Sequence, residues 1–257
     1  MLPQERRKLI LEKLVENERL NIEQLGEQLN VSTMTIRRDL AYLEEEEKII
    51  RTHGGAVLKK RLVAETSFQS KKAQNSDQKK KIAQTALNYI QDQSTILLDA
   101  GTTTLEIAKL LKYETNLTVI TNDIKIASEL LDSKLKVIVL GGELQNTIGT
   151  LFGPLTEQVL ENLYVDIFFL GAHAIDLKAG VTAPTHEKAA IKQLMVKAAE
   201  STWIVADSSK FNQKSFTKVC DLSSVEGIIT DDRITDEYMR ELQDYLKVTV
   251  ADGRELV

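Results

Sequence analysis

The sequence predicts a two-part α/β chain: a small helical module that closes on a short glycine-containing hairpin, then a larger domain on a mainly parallel sheet. Three observations carry this. Residues 5–57 show helical hydrophobic periodicity followed by a hairpin pattern. Seven short β-branched runs recur between residues 95 and 252. Amphipathic helical patterns fall between most of those runs, an alternation that produces parallel strands covered by helices.

Composition bounds the possibilities. A chain of 257 residues has room for one large domain or two unequal ones. Apolar residues at 42 % and charged residues at 28 % are an ordinary soluble globular balance and exclude an intrinsically disordered chain. No apolar run is long enough to cross a membrane as a helix. The N-terminus, MLPQERRKLILEKL, has neither the apolar core nor the cleavage site of a secretory signal. Cys220 is the single cysteine, so no internal disulfide can form, which fits a reducing cytoplasm. With His53, His173 and His186 as the other soft ligands, a cysteine-rich zinc site is excluded. Neither a metal nor a cofactor is expected.

The net charge of −5 hides its distribution. Residues 1–60 carry 11 basic and 11 acidic residues, and 61–257 carry 22 and 27. The stretch 58–81 has eight basic residues against Glu65 and Asp77, a local +6. It reads either as a solvated linker or as a segment facing phosphates.

In the N-terminal module, Arg6 to Asn17 reads as a first helix with Leu9, Ile10, Leu14 and Leu11 inward. Asn21 can cap a second helix carrying Ile22, Leu25 and Leu29 on one face. A three-residue turn, Asn30-Val31-Ser32, leads to a third helix with Ser32 as its cap. Val31 and Ile36 would form a hydrophobic staple. Helix, short turn, helix is the layout of a helix-turn-helix. At 100° per residue, Ile36, Leu40 and Leu43 face the core. The opposite side carries Met34, Thr35, Arg38 and Tyr42, with Ser32 and Thr33 at the N-terminal end and Arg37 on a flank. Hydroxyls, arginine and a phenol on one outer face suit a helix laid in the major groove. The bland alternative is a solvated face with Arg38 paired to a local acid. Residues 48–57 then read as a two-stranded wing with Gly54-Gly55 at its tip. Such a wing places Arg51 and His53 beside phosphate or minor groove, although His53 serves equally as a turn residue. The acidic run Glu44–Glu47 should lie away from a duplex.

Val31-Ser32-x-x-Thr35, Arg37-Arg38-Asp39-Leu40 and Arg51-Thr-His-Gly-Gly-Ala56 together resemble the DNA-binding signature of the DeoR family of transcriptional regulators. The resemblance continues over essentially the whole chain. It implies a winged helix-turn-helix over 1–57, a linker over 58–78, and an α/β effector-sensing domain over 79–257.

In the larger domain the expected strands are 95–99, 117–121, 136–140, 166–170, 202–206, 227–230 and 248–252. The expected helices are 79–91, 103–112, 123–132, 154–163, 187–201 and 235–246. Near-continuous apolar runs fit strands buried on both faces. Trp203 and Cys220 read as core residues. In such a sheet, ligands bind beyond the carboxyl ends of the strands. Those ends carry Asp99-Ala-Gly101-Thr102-Thr103-Thr104, Thr121-Asn122, Gly141-Gly142-Glu143, Gly171-Ala-His173 and Asp207-Ser-Ser-Lys210. Glycine and hydroxyls at a helix N-terminus suit an anion. Asp99 and Asp207 suit sugar hydroxyls, and Lys210 supplies a cation. Taken singly, Asn122 and Asp207 could merely cap helices and Gly141-Gly142 could merely turn the chain. Together they imply a small phosphorylated sugar or polyol.

The resemblance agrees. Asp99-x-Gly-Thr-Thr-Thr104, Thr121-Asn122, Gly141-Gly142 and Ala206-Asp207-x-x-Lys210 look like the family's sensor motifs. It implies a domain related to sugar-phosphate isomerases and coenzyme A transferases, a phosphorylated effector, a homo-oligomer, and usually repression. Glu187 and Lys188 stand where related isomerases keep acids and bases, while His173 stands where many members have a small or variable residue. The function expected is therefore an operator-binding repressor of a sugar-metabolism operon, gated by a sugar phosphate. The alternatives are an isomerase-like enzyme using Asp99, Glu143, Glu187, Asp207, Lys188 or Lys210, and a constitutive DNA-binding protein. The first leaves the helix-turn-helix unexplained, and the second leaves the strand-end polar set unexplained.

Overall fold

Hydrophobic periodicity in the first fifty residues closes into a three-helix core: α1 (Pro3–Asn17), α2 (Ile22–Leu29) and α3 (Thr33–Glu45). The computed structural model describes residues 2–17, 19–46, 48–52, 54–58, 67–146 and 148–251. His53 and residues 59–66 of the basic stretch 58–81 lie outside those residues. The chain divides into two units, Met1–Arg61 and Leu62–Val257.

In the first unit, Asn21 Oδ1 accepts from Glu23 N at 2.8 Å and starts α2. Ser32 Oγ accepts from Thr35 N at 3.2 Å and starts α3. Between them Asn30 adopts a left-handed φ of 52°, which asparagine tolerates, so the turn stays three residues long. Ile10, Leu14, Ile22, Leu25, Ile36, Leu40 and Leu43 make one buried cluster, with Val31 packed against it. β2 (Ile49–Thr52) and β3 (Gly55–Leu58) form the expected wing. A third strand, β1 (Arg19–Asn21), pairs with β3 to give the order β1-β3-β2. Three residues are too short for periodicity to reveal. The first helix starts at Pro3, ahead of the expected Arg6.

The second unit opens with α4 (Phe68–Ala73) and α5 (Ser76–Ala86). Part of the expected linker is thus helical, and Phe68 is buried against the core of this unit. Then follow β4 (Thr95–Leu98), α6 (Thr102–Leu111), β5 (Thr118–Thr121), α7 (Ile124–Glu129) and β6 (Lys136–Val139). A hairpin of β7 (Glu143–Gln145) and β8 (Thr150–Phe152) precedes α8 (Pro154–Leu160) and β9 (Val165–Gly171). The remaining elements are β10 (Ala174–Asp176), β11 (Gly180–Ala183), α9 (His186–Ala198), β12 (Ala199–Val205), β13 (Thr217–Cys220), β14 (Gly227–Thr230), α10 (Asp236–Gln243) and β15 (Lys247–Val250).

The seven anticipated strands form one sheet in the order β15-β14-β12-β9-β4-β5-β6, with every neighbouring pair parallel. Side chains alternate between two cores. Leu97, Phe168, Ile204 and Ile228 meet α8, α9 and α10 on one face. Ile96, Leu98, Phe169, Val205 and Ile229 meet α5, α6 and α7 on the other. Residues 199–201, expected as helix, are strand instead: Ala199 pairs with Val165 and Ser201 with Ile167. Pairing with a central strand outweighs the weak local helix preference there. The β7–β8 hairpin and the antiparallel sheet β10-β11-β13 were not anticipated.

Candidate functional site

Two regions gather the polar residues singled out by sequence. In the first unit, α3 turns Arg37, Arg38, Met34, Thr33 and Ser32 outward, all exposed, with Thr35 half-buried. Arg38 has no ion-pair partner among the described residues, so the paired-arginine alternative does not hold there. The Ser32 hydroxyl lies 3.0 Å from the Thr35 hydroxyl and caps the helix. Tyr42 is exposed at the edge but is not bare, since the Arg7 guanidinium carbon sits 3.6 Å from its ring centroid. Arg51 in the wing pairs with Glu44 at 3.6 Å, and its backbone N–H donates to the same carboxylate at 3.3 Å. One acid of the run expected to repel DNA is therefore turned onto the wing.

Asp39, missed as a site residue, is the anchor of this arrangement. It is 2 % exposed and accepts from Arg6 Nε at 2.5 Å and Arg7 Nε at 3.0 Å. Breaking a buried pair strands a charge at a cost of about 3–5 kcal/mol. The bond ties α1 to α3. An acid at i+3 from the core residue Ile36 was the available signal.

In the second unit the sheet has a switch point between β4 and β9. From β4 the chain moves outward through β5 and β6, and from β9 it moves the other way through β12, β14 and β15. A crevice opens beyond the carboxyl ends of two such strands. There Gly171 N, at the end of β9, donates to Asp99 Oδ2 at 3.1 Å. A cavity of about 380 Å³ occupies the position. Of the expected effector residues, Asp99, Gly101, Thr102, Thr103, Asn122, Glu187, Lys188, Asp207 and Lys210 line it, as do Glu143 and His173.

Four expected residues do not line it. The Thr104 hydroxyl donates to Gly101 O at 3.0 Å and closes the first turn of α6. The Thr121 hydroxyl donates to Leu98 O at 2.9 Å and accepts from Asp123 N, bracing β5 against β4. Gly141 O accepts from the Thr156 hydroxyl at 2.5 Å. Gly142 has φ 144°, and a Cβ there would run into that hydroxyl and the Phe152 carbonyl. The paired glycines let the chain pass close under α8 and play no part in the wall.

The cavity's polar chemistry is mixed. Gly101 caps α6 without a side-chain bond, so the first-turn amides of α6 are left to whatever the cavity holds. Asp99 is paired with Lys192, which also donates to Gly171 O at 2.8 Å. Lys192 escaped the sequence reading because it lies mid-helix on α9, away from any strand end. Asn122 Nδ2 donates to Leu151 O at 3.0 Å, which fixes the amide, and its Oδ1 is buried. Among the described residues neither that oxygen nor the buried Thr150 hydroxyl has a partner. Asp123 caps α7 through Lys125 N at 2.7 Å, but its Oδ2 is buried and unpartnered, and burial pushes its pKa up to about 6. The Glu187 carboxyl is held below its ordinary range by its own backbone N–H and the Thr185 hydroxyl.

One wall comes from α4 and α5, the expected linker. Phe68, Lys71, Gln74, Asn75 and Lys79 all line the cavity. Lys79 is buried and donates to Lys71 O and, at 2.6 Å, to Gln74 O, the carbonyls that end α4. Burial lowers its pKa, and Asp207 opposes that shift. Among the described residues no group of His, Cys, Asp and Glu could hold a metal ion. No described helix is long and apolar enough to cross a membrane.

Comparison with known proteins bears on both regions. Residues 6–61 match the family model described as a DeoR-like helix-turn-helix domain, and residues 74–232 match that of the DeoR C-terminal sensor domain. The chain is 35 % identical over 253 residues to the HTH-type transcriptional regulator GlpR of Haloferax volcanii, covering 98 % of this chain and 99 % of that protein. It is 35 % identical over 230 residues to the transcriptional repressor AccR of Agrobacterium fabrum, covering 89 % of each. Among solved structures, ribose 5-phosphate isomerase A of Methanocaldococcus jannaschii aligns with a TM-score of 0.39 at 17 % identity, over 53 % of this chain and 55 % of that one.

Proposed function

The chain belongs to the DeoR family of transcriptional regulators, and from that premise we propose that it represses a sugar-metabolism operon under control of a phosphorylated sugar or polyol. Relatives matched along nearly their whole length are named regulators and repressors, and the chain is a regulator rather than an isomerase.

One observation carries the effector class. The switch-point cavity joins uncapped amides of α6 and the lysines Lys71, Lys188 and Lys210 to two buried acceptors, Asn122 Oδ1 and the Thr150 hydroxyl, that lack partners. An unmet buried polar atom costs about 1–3 kcal/mol, so these positions call for a ligand O–H. Amides and ammonium groups call for an anion. A molecule with hydroxyls at one end and a phosphate at the other meets both demands.

On the DNA side, Ser32, Thr33, Met34, Thr35, Arg37, Arg38 and Tyr42 read the operator from α3, and Arg51 approaches phosphate or minor groove from the wing, a role also expected of His53, which lies outside the described residues. A winged helix of zero net charge binds weakly alone, so a cytoplasmic homo-oligomer supplies paired half-sites.

The test is the melting temperature of the full chain against a panel of sugar phosphates, each beside its parent sugar. A ligand at one hundred times its dissociation constant stabilises by roughly 2.7 kcal/mol. A rise with one phosphate and not its parent, together with release of the operator, supports the reading. A parent sugar that acts as strongly as its phosphate overturns the anion assignment.

A further inference from the structure

We propose that Arg7, on α1 and outside the recognition helix, is a DNA-binding residue: its terminal guanidinium nitrogens take a backbone phosphate beside the reading face of α3. The inference rests on α3 being that face.

The geometry aims one arginine with unusual care. The Asp39 carboxylate gives one oxygen to Arg6 and the other to Arg7, so neither guanidinium has the two-oxygen grip of an ordinary arginine–carboxylate pair. Arg7 uses Nε for this bond, at 3.0 Å, and its two terminal nitrogens have no protein hydrogen bond among the described residues. The guanidinium lies against the Tyr42 ring, 3.6 Å from carbon to centroid, and the side chain is a quarter exposed. Tyr42 stands one helical turn after Arg38 and so shares its outward stripe. A stacked, tethered guanidinium with an open fork is a preorganised receptor for phosphate oxygens, and little rotamer freedom remains to be lost on binding. Phosphates flank a helix laid in the major groove, and arginine is a common ligand for them. A residue that merely braced Tyr42 would have no use for terminal nitrogens left without a hydrogen bond among the described residues.

The experiment uses the full chain, an operator recovered by selection from random duplexes, and an unrelated 30-base-pair duplex, with binding followed by fluorescence anisotropy over a salt series. Arg7→Gln should weaken both duplexes by the same factor, roughly tenfold. It should also flatten the log–log salt dependence by about 0.9 for each DNA-bound subunit. Arg7→Lys keeps the charge and loses the fork and the stack, so it should keep the salt slope and weaken both duplexes alike. It provides the readout if the glutamine variant melts early. Loss confined to the operator in either variant, or an unchanged slope in Arg7→Gln, overturns the proposal and leaves Arg7 as a brace for α3. Arg38→Ala separates the underlying reading, because it should lose operator preference while retaining the unrelated duplex. If Arg38→Ala binds the operator normally, α3 is not the reading face, whatever Arg7 does.

Discussion

Asn75 Nδ2 donates to Asp207 Oδ1 at 2.8 Å, joining the start of α5 to the loop after β12 across 132 positions of sequence. Asn75 stands at the N-cap of α5 yet makes no capping bond. Its amide is given to the cavity instead. Asp207 in turn caps its own short turn through Ser209 N at 3.2 Å. In sequence, α4 and α5 are the first described elements after the wing.

Asn75 has φ 50°, so two substitutions separate its roles. Asn75→Gly keeps the left-handed backbone and removes the amide. It should weaken effector binding several-fold, read from the ligand concentration at half-maximal thermal shift. Asn75→Ala should add a stability loss of about 1 kcal/mol from the strained backbone. An Asn75→Gly variant that responds like the wild type would detach this contact from sensing.

Lys210→Ala and Thr103→Ala should each weaken the effector response by roughly tenfold, the scale of a lost charge-assisted hydrogen bond. Operator affinity without effector should stay within about twofold. Loss of operator binding with an intact ligand response would place these residues outside sensing.

Asp39→Ala should destabilise the first unit by about 3–5 kcal/mol, because buried Arg6 loses its carboxylate. Proteolysis should cut residues 1–61 early, while the thermal shift of the second unit with effector is retained. Full protease resistance of the first unit would mean that α1 and α3 need no such tie.

Asp123 predicts a pH dependence of definite sign. Its folded pKa of about 6 lies above the ordinary value of 3.8, so the folded state binds the extra proton in between. The contribution is full below pH 4 and is lost as pH rises through 6. Asp123→Asn keeps an oxygen to cap α7 and carries no charge to bury. It should gain about 1–3 kcal/mol over the wild type at pH 7.5 and lose most of that advantage near pH 4. Urea midpoints at the two pH values decide it, and an advantage that does not change with pH would show that the carboxyl is not strained by burial.

Much of this was legible from local pattern. Ile36, Leu40 and Leu43 at helical spacing, capped by Ser32, delimit α3 from local sequence alone. The runs TILL, TVIT and GIIT, too apolar for a one-sided sheet, mark interior parallel strands, whereas the equally apolar KVIV is the edge strand β6 and is only half-buried. Strand-end polarity pointed to the crevice because open parallel sheets place ligands there. The expected linker 58–78 is mostly helical over 68–78, and a physical reason hides this in the sequence. α4 is six residues long and rich in lysine, so no hydrophobic period could show, and it is held by the burial of Phe68 and by Lys79 on its last carbonyls.

Composition, period and turn chemistry thus determined the two-part organisation, the succession of the seven parallel strands along the chain and strand-end polar residues such as Asp99, Thr103 and Lys210, because each depends on neighbours within a few positions. Only the tertiary structure decided that Lys192 meets Asp99 across 93 positions, that Asn75 meets Asp207, and that Arg6 and Arg7 share Asp39. It also moved Thr104, Thr121, Gly141 and Gly142 from the cavity wall into its supports. Such pairings are chosen by which side chains the strand order and helix packing bring together away from water. No local stretch of sequence encodes that by itself.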